Sequence, residues 1–302
     1  MKMAHEGKQM DRKEFWSGIR IAVAAFVAFA TSFASAKPNY DESKVPPYTL
    51  EDPLTFVDGR KVQTKSDWRR RRDEILDVFA REMYGQPPPA PEEVVVDLFE
   101  EGATLAGLGI RRQYRMWFRK DRSGPHIDWL VLLPNRIGGQ RPKKAGTGVA
   151  CENGAPCPAI VFLNYYGNHE LLSDPEVALS SGWRKNDKGL GITDNKTVET
   201  TRARMRRTDM RSIVPVETIL ARGYAVITAS YGEVSPDCAT RPDQNGLAWT
   251  GVFELWGARD MSRTDLPTSL GAWAWALSRG LDLAERIREI DASRCVATDA
   301  SQ

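Results

Sequence analysis

Apolar positions follow two periods along the chain. Over residues 66–83 they recur at helical spacing, with Trp68, Ile75, Phe79 and Met83 on one face. Thr64 or Ser66 can cap this helix, and Gly85 with Pro87, Pro88 and Pro89 stops it. Arg69–Arg72 is followed at helical spacing by Asp73, Glu74 and Asp77, which predicts a solvated, salt-bridged face. Residues 94–99 and 110–118 alternate, as in an antiparallel pair of strands. Residues 128–133 (DWLVLL) are more continuously apolar and end at Pro134. Residues 159–164 (AIVFLN) form a compact apolar run, the pattern of a strand covered on both faces. Residues 214–221 predict a helix, ended by Arg222-Gly223, and 224–230 (YAVITAS) a second buried strand. Pro267 and Thr268 open a strong helix whose apolar stripe is Leu270, Trp273, Ala274, Leu277, Leu281, Ala284 and Ile287. Residues 294–298 (RCVAT) predict a third buried strand. Between these elements, 136–158 is a Gly/Pro/Lys surface loop and 180–211 a polar excursion from the core.

Strand, helix and strand joined by short links require right-handed crossovers and a parallel sheet. The fold class is therefore α/β, a mixed sheet with an antiparallel start and a parallel centre. Hydrophobic residues are 41% and charged residues 27% of the 302, which excludes a largely disordered, collagen-like or coiled-coil chain. The formal net charge is +2, which argues against a dedicated nucleic-acid binder.

The first residues read as a targeting segment. Lys2, Lys8, Arg12, Lys13 and Arg20 make a positive region, residues 21–30 (IAVAAFVAFA) an apolar core, and Ala34-Ser35-Ala36 a cleavage pattern. The apolar run is shorter than the roughly 20 residues of a membrane span. Residues 1–36 are thus expected to be a signal peptide and 37–302 a single domain, entered through a Pro-rich lead-in. The protein is expected to be secreted or periplasmic, with no membrane partner after cleavage. Removal of residues 1–36 also removes His5, leaving His126 and His169. In an oxidising compartment Cys151 and Cys157 can form a local disulfide around ENGAP, and Cys238 and Cys295 can pair if the fold joins them. The cysteine spacing does not fit a zinc site, and no metal or cofactor is expected.

Antiparallel strands, AIVFLN with its loop, then helix, strand, helix and strand, make the amino-terminal portion of an α/β-hydrolase. In that fold the nucleophile sits on a strained turn directly after a central strand, usually as GxSxG. Here RCVAT is followed by Asp299-Ala300-Ser301-Gln302, which puts Ser301 where a nucleophile belongs, without flanking glycines. Four stretches carry a closer likeness: DPLTFVDGRKVQTKSDWRRRRDEIL, PAIVFLNYYGNHELLSDP, VPVETILARGYAVITASYGEVSPD and LGAWAWALSRGLDLAERIREIDASRCVAT. On these the chain resembles the bacterial glucuronoyl esterases, carbohydrate esterases acting on 4-O-methyl-glucuronoyl esters. The resemblance runs over residues 52–298. It implies a serine carboxylesterase whose partner is glucuronoxylan or a lignin–carbohydrate ester.

In that family the strand leads into approximately Gly-His/Cys-Ser-Arg-x-Gly-Lys. The Ser attacks the ester, the Arg helps to hold the oxyanion, and a later acid and a late His complete the triad. Carried over, only Ser301 lands on a catalytic position; Asp299 stands for the family Gly and Gln302 for the Arg. Triad order in this fold is Ser, acid, His, so the sequence read to Gln302 is expected to be incomplete at its carboxyl end. With no base a serine hydroxyl is a weak nucleophile. The expectation for these 302 residues is negligible esterase activity, poor solubility and an open apolar strand edge. The alternative is a non-catalytic, at most sugar-binding, relative.

Other groups carry weaker signals. The NYYGNH loop, residues 164–169, follows a central strand, where this fold often supplies an oxyanion N–H; the other reading is a structural loop around a buried His. His169, Glu170 and Asp174 make a poor metal set. RARMRRTDMR, residues 202–211, reads as a surface loop more than as a polyanion contact. Trp249 and Trp256 could stack on sugars, whereas Trp273 and Trp275 read as core.

Overall fold

A computed structural model of the chain describes residues 40–86, 89–135, 155–172, 174–199, 201, 214–237 and 249–299. The expected signal peptide, Cys151, Cys238, the 202–211 loop and Ser301 all lie outside the described residues. The chain divides into two compact units, Met1–Pro53 and Leu54–Gln302. Of the first, residues 40–53 are described. They are exposed throughout and hold one 3-10 turn, Glu42–Lys44, whose start is capped by the Asp41 carboxylate.

The second unit opens with helix α1, Lys65–Phe79, followed by a π-helical turn, Ala80–Tyr84. Thr64 and Asp67 form a reciprocal capping box at its start. Arg70 pairs with Asp67 at 2.5 Å and Arg81 with Asp77 at 3.0 Å, and of the pairs expected between Arg69–Arg72 and the acids that follow, Arg71–Glu74 forms. The expected apolar face is mostly uncovered among the described residues: Trp68 is 40%, Phe79 45% and Met83 57% exposed, and Ile75 is half-buried. Arg71 is buried instead, with Nη1 donating to Glu74 at 2.9 Å. Its apolar stem packs where charge alone would place it in water.

The sheet has six described strands in the order β1-β2-β3-β5-β4-β6. They are β1 (Val95–Thr104), β2 (Gly109–Trp117), β3 (His126–Pro134), β4 (Cys157–Asn164), β5 (Ala225–Ser230) and β6 (Ile290–Asp299). The first three pair antiparallel, β3 is antiparallel to β5, and β5-β4-β6 run parallel. Both halves of the predicted mixed sheet are present.

The continuous apolar runs have a direct cause. β3, β4 and β5 are covered on both faces. Trp129, Val131, Val161 and Ile227 enter one core, beside helix α5 (Ser269–Arg286). Leu130, Leu132, Phe162 and Val226 enter a second core on the other face, with Leu220 of helix α3 (Val216–Ala221). The predicted stripe of α5 is one edge of a wider covered face: Ala284 and Ile287 are buried, and Trp273, Leu277 and Leu281 are partly buried against the core. Ala272, Trp275, Ala276, Arg279, Gly280, Leu283 and Ala284 are buried, while Leu270 is 52% exposed. Small residues widen this face, because they let the helix axis approach the sheet. A Cβ on Gly280 would lie 2.7 Å from Val161 Cγ1 and 2.8 Å from the Trp129 ring.

β6 is not the buried strand its composition predicts. It pairs with β4 alone and stands at the edge of the described sheet, with Val296 62% exposed. Cys295 packs partly into the first core and is a free thiol among the described residues, while its expected partner Cys238 lies outside them. Burial pushes that thiol's pKa up. No described helix is long and apolar enough to cross a membrane.

Candidate active site

In an open α/β sheet, groups that handle a ligand collect at the carboxyl ends of the parallel strands. At that end of β4 the chain enters a tightly bonded loop. Asn164 is 5% exposed; its Nδ2 donates to Asn168 Oδ1 at 2.8 Å and to Thr228 Oγ1 at 3.1 Å. Its Oδ1 accepts from Gly167 N at 2.6 Å. Gly167 has φ +112°, and a Cβ there would meet the His169 ring at 2.7 Å, so the turn needs glycine. The short helix α2, Asn168–Leu171, follows, and all four of its residues are buried. Asn168 Nδ2 donates to the Asp128 carbonyl at 2.9 Å, which ties the loop to β3.

His169 is fully buried, with Nε2 at 2.6 Å from Thr201 Oγ1. Thr201 Oγ1 spends its single proton on the Val198 carbonyl at 2.7 Å. The contact therefore assigns the proton to His169 Nε2, which donates, and leaves the ring's lone pair on the buried Nδ1. Glu170, 1% exposed, lies 3.3 Å from Arg184 Nη2. Arg184 Nη1 donates to the Tyr165 carbonyl at 3.0 Å, and its guanidinium lies 4.8 Å over the Tyr166 ring. One buried cation thus pins both tyrosines of the loop.

β5 ends in the turn α4, Tyr231–Val234. Tyr231 stacks on Tyr165 with centroids 4.9 Å apart and meets Trp273 edge-on at 5.5 Å. Burial raises its phenol pKa well above the ordinary value. Glu233 accepts from Ser180 Oγ at 2.8 Å and from the Asp128 backbone N–H at 2.7 Å. Desolvation, with the Asp128 charge beside it, pushes its pKa up to about 8. Asp128 in turn takes a bidentate bond from Arg115, both contacts 2.7 Å.

β6 delivers the chain to the same level. Thr298 pairs opposite Phe162 and Asp299 opposite Leu163, one residue before Asn164. The ends of β4, β5 and β6 are therefore adjacent, as a nucleophile-bearing turn after β6 requires. His126 is elsewhere in the sheet, at the start of β3, with its ring centroid 4.6 Å from that of Trp117 and Nε2 3.5 Å from Ser181 Oγ. Burial lowers its pKa. His169, Glu170 and Asp174 do not converge: Asp174 bonds Thr104 Oγ1 at 2.7 Å and pairs with Arg111. Trp249 stacks on Phe253 at 4.7 Å, Trp256 is half-buried against Trp275 at 5.7 Å, and Trp275 is buried as read from sequence.

Arg184, Tyr231 and Glu233 were not legible as site residues. Arg184 stands in a stretch that reads as polar excursion, and Glu233 follows a strand at a position where a carboxylate reads as solvated. The signal available was position alone, directly after a buried strand.

No family model matches the chain. A carbohydrate esterase from an unknown prokaryotic organism is 30% identical over 256 residues, 84% of this chain and 53% of that protein. A CE15 esterase from a marine bacterial metagenome, described as promiscuous, superposes with a TM-score of 0.67 at 30% identity. The match covers 86% of this chain and 58% of that one. Over this span the chain is similar to CE15 esterases. The glucuronoyl esterase from Solibacter usitatus, with a TM-score of 0.68 at 27% identity, covers 85% of this chain and 59% of its own. A 4-O-methyl-glucuronoyl methylesterase from Podospora anserina is 32% identical over 123 residues, 40% of this chain and 23% of that protein. The chain spans about half the length of the carbohydrate esterase it matches over 256 residues. The CE15 likeness accounts for the mixed sheet and for the strand that leads to Asp299.

Proposed function

We propose that the protein is an exported carboxylic ester hydrolase of glucuronoyl type, acting on 4-O-methyl-glucuronoyl esters of cell-wall xylan. The ends of β4, β5 and β6 form its amino-terminal share of the site, and Ser301 is the nucleophile. The observation that carries this reading is the register of β6 on β4, which brings Asp299 level with the Asn164 loop. The Tyr165–Tyr166 loop, fixed by Asn164 and Arg184, is the wall against which the acyl group is held. A rigid loop at that place loses no orientation energy when the ester is attacked.

We assign the general base to a residue outside the described ones. His169 is fully buried, with Nε2 held by Thr201. His126 lies three strand spacings from β6, about 14 Å at the usual separation. Because the chain spans about half of the carbohydrate esterase it matches, residues 1–302 alone are expected to give no Ser301-dependent turnover, and the product of a whole gene of that relative's length is expected to give it.

The test is release of acid from the methyl ester of 4-O-methyl-glucuronate by both proteins, each with and without Ser301→Ala. The expected result is hydrolysis by the gene product that falls about 10³-fold or more in Ser301→Ala. Hydrolysis that survives the substitution contradicts the assignment. Saturable binding of glucuronoxylan with no hydrolysis in either protein favours the alternative, a sugar-binding relative without turnover.

A further inference from the structure

A cavity of about 430 Å³ lies away from the β4–β6 loop ends, between Trp256, Trp275 and Phe118 on one side and Glu92, Glu93, Arg119 and Lys120 on its rim. We propose that it is a carbohydrate subsite that takes a neutral pyranose unit of a glycan backbone. The proposal rests on the glycan-ester reading above and extends it to a second place on the molecule.

The volume falls within the range of small-molecule sites. Its wall is aromatic and preformed. Trp256 meets Trp275 at 84° with centroids 5.7 Å apart, and Phe118 meets Trp275 at 5.0 Å. The Trp275 indole is itself anchored, with Nε1 donating to the Pro89 carbonyl at 3.3 Å. Phe118 and Trp275 are buried and Trp256 is half-buried, so the Trp256 indole can still cover one face of a ligand. A sugar ring offers C–H groups on its faces and hydroxyls at its edge. It therefore needs an apolar wall with donors and acceptors around it.

The rim supplies both. Glu92 and Glu93 accept, Arg119 and Lys120 donate, and Lys120 and Glu93 lie 3.7 Å apart. Two acids and two bases cancel, so the rim has no field that selects an anion. That composition fits a neutral polyol better than a uronate.

The topology adds the direction. Phe118 follows Trp117, which pairs with His126 at the start of β3. β3 is antiparallel to β5, so Phe118 stands at the same end of the sheet as Ser230, Asn164 and Asp299. β2 is four strand spacings from β6, about 19 Å. A glycan that reaches from one place to the other is several units long, and the unit held at Trp256 belongs to its backbone.

The experiment is calorimetric titration of the 302-residue protein with xylohexaose, which carries neither ester nor uronate. The expected result is saturable binding, weakened about tenfold in Trp256→Ala and about threefold in the rim variant Glu92→Gln. If Trp256→Ala does not melt cooperatively, Trp256→Phe replaces it, with a threefold loss expected. No binding by the wild type, or equal binding by the variants, overturns the proposal. The ester assay separates the two readings. Xylohexaose bound through Trp256 with no ester hydrolysed by the product of the whole gene removes the esterase and leaves the subsite, and ester hydrolysed by that product with xylohexaose unbound removes the subsite and leaves the esterase.

Discussion

β4 and β6 lie side by side, parallel, and paired from Ala159 opposite Cys295 to Leu163 opposite Asp299. Their environments differ. β4 feeds Val161 and Leu163 into one core and Phe162 into the other, and its loop is fixed by Asn164, Asn168 and Arg184. β6 gives Cys295 to the first core, while Val296 faces away from it and is 62% exposed. β4 (CPAIVFLN) has six apolar residues of eight and β6 (IDASRCVATD) five of ten with three charges, so composition already favours burial of β4, but it does not by itself decide where Val296 goes. What decides it is whether a second layer covers the outer face and a second strand covers the edge. The same contrast separates the two ends of the candidate site: the β4 side is over-determined, and the β6 side is held by one neighbour among the described residues.

The contrast can be broken from its strong side first. Ile227 of β5 is fully buried beside β4. Ile227→Ala is expected to cost about 2–5 kcal/mol of unfolding free energy, read by urea titration. A cost below 1 kcal/mol would show that the doubly covered centre is not packed. Gly280→Ala tests the close seating of α5 over β4. Its Cβ would overlap Val161 and Trp129, and the expected cost is about 1–3 kcal/mol in the same titration. A stabilised variant, as helix propensity alone would give, contradicts that packing.

Glu233 sharpens the comparison through pH. Its pKa is raised by burial from the model-peptide 4.5 to about 8. The folded state thus holds a proton that the unfolded state has released. Stability from this group is complete below about pH 4.5 and is lost as pH rises towards 8, by up to about 1.4 kcal/mol per pH unit. Melting curves between pH 5 and 8 should show this slope in the wild type and a flatter one in Glu233→Gln. An unchanged slope would place the proton elsewhere. At the weak end, Val296→Ala on β6 should change stability by no more than about 0.5 kcal/mol. A loss near that of Ile227→Ala would mean that β6 is covered in solution.

Much of this was legible in the sequence. Alternation found β1 and β2, continuous apolar runs found β3, β4 and β5, and Thr268 before a Leu/Trp/Ala stripe found α5, with Thr268 Oγ1 accepting from Gly271 N at 3.2 Å. The full width of the covered face of α5 was not legible. Large side chains mark an amphipathic face, but here Gly280 and the alanines set the contact, and a hydrophobic stripe gives small residues little weight. The cover of β6 and the outer face of α1 were not legible because burial depends on the layer opposite, not on the strand or helix itself. In the candidate site, the NYYGNH loop was found from its place after a strand. Its buried anchor Arg184 was missed, because a Trp-Arg-Lys run inside a polar stretch looks solvated until the fold brings it to Tyr165 and Glu170.

The central claim is that Ser301, carried past Asp299 by β6, is the nucleophile. The direct measurement is to treat the product of the whole gene with a fluorophosphonate and map the adduct by peptide mass spectrometry. Attack by the serine Oγ displaces fluoride and leaves a phosphonyl ester on the residue that performs the chemistry. The account predicts a single adduct on the peptide that contains Ser301, absent in Ser301→Ala together with ester hydrolysis. An adduct on another serine, or ester hydrolysis that continues with Ser301 unmodified, would contradict it.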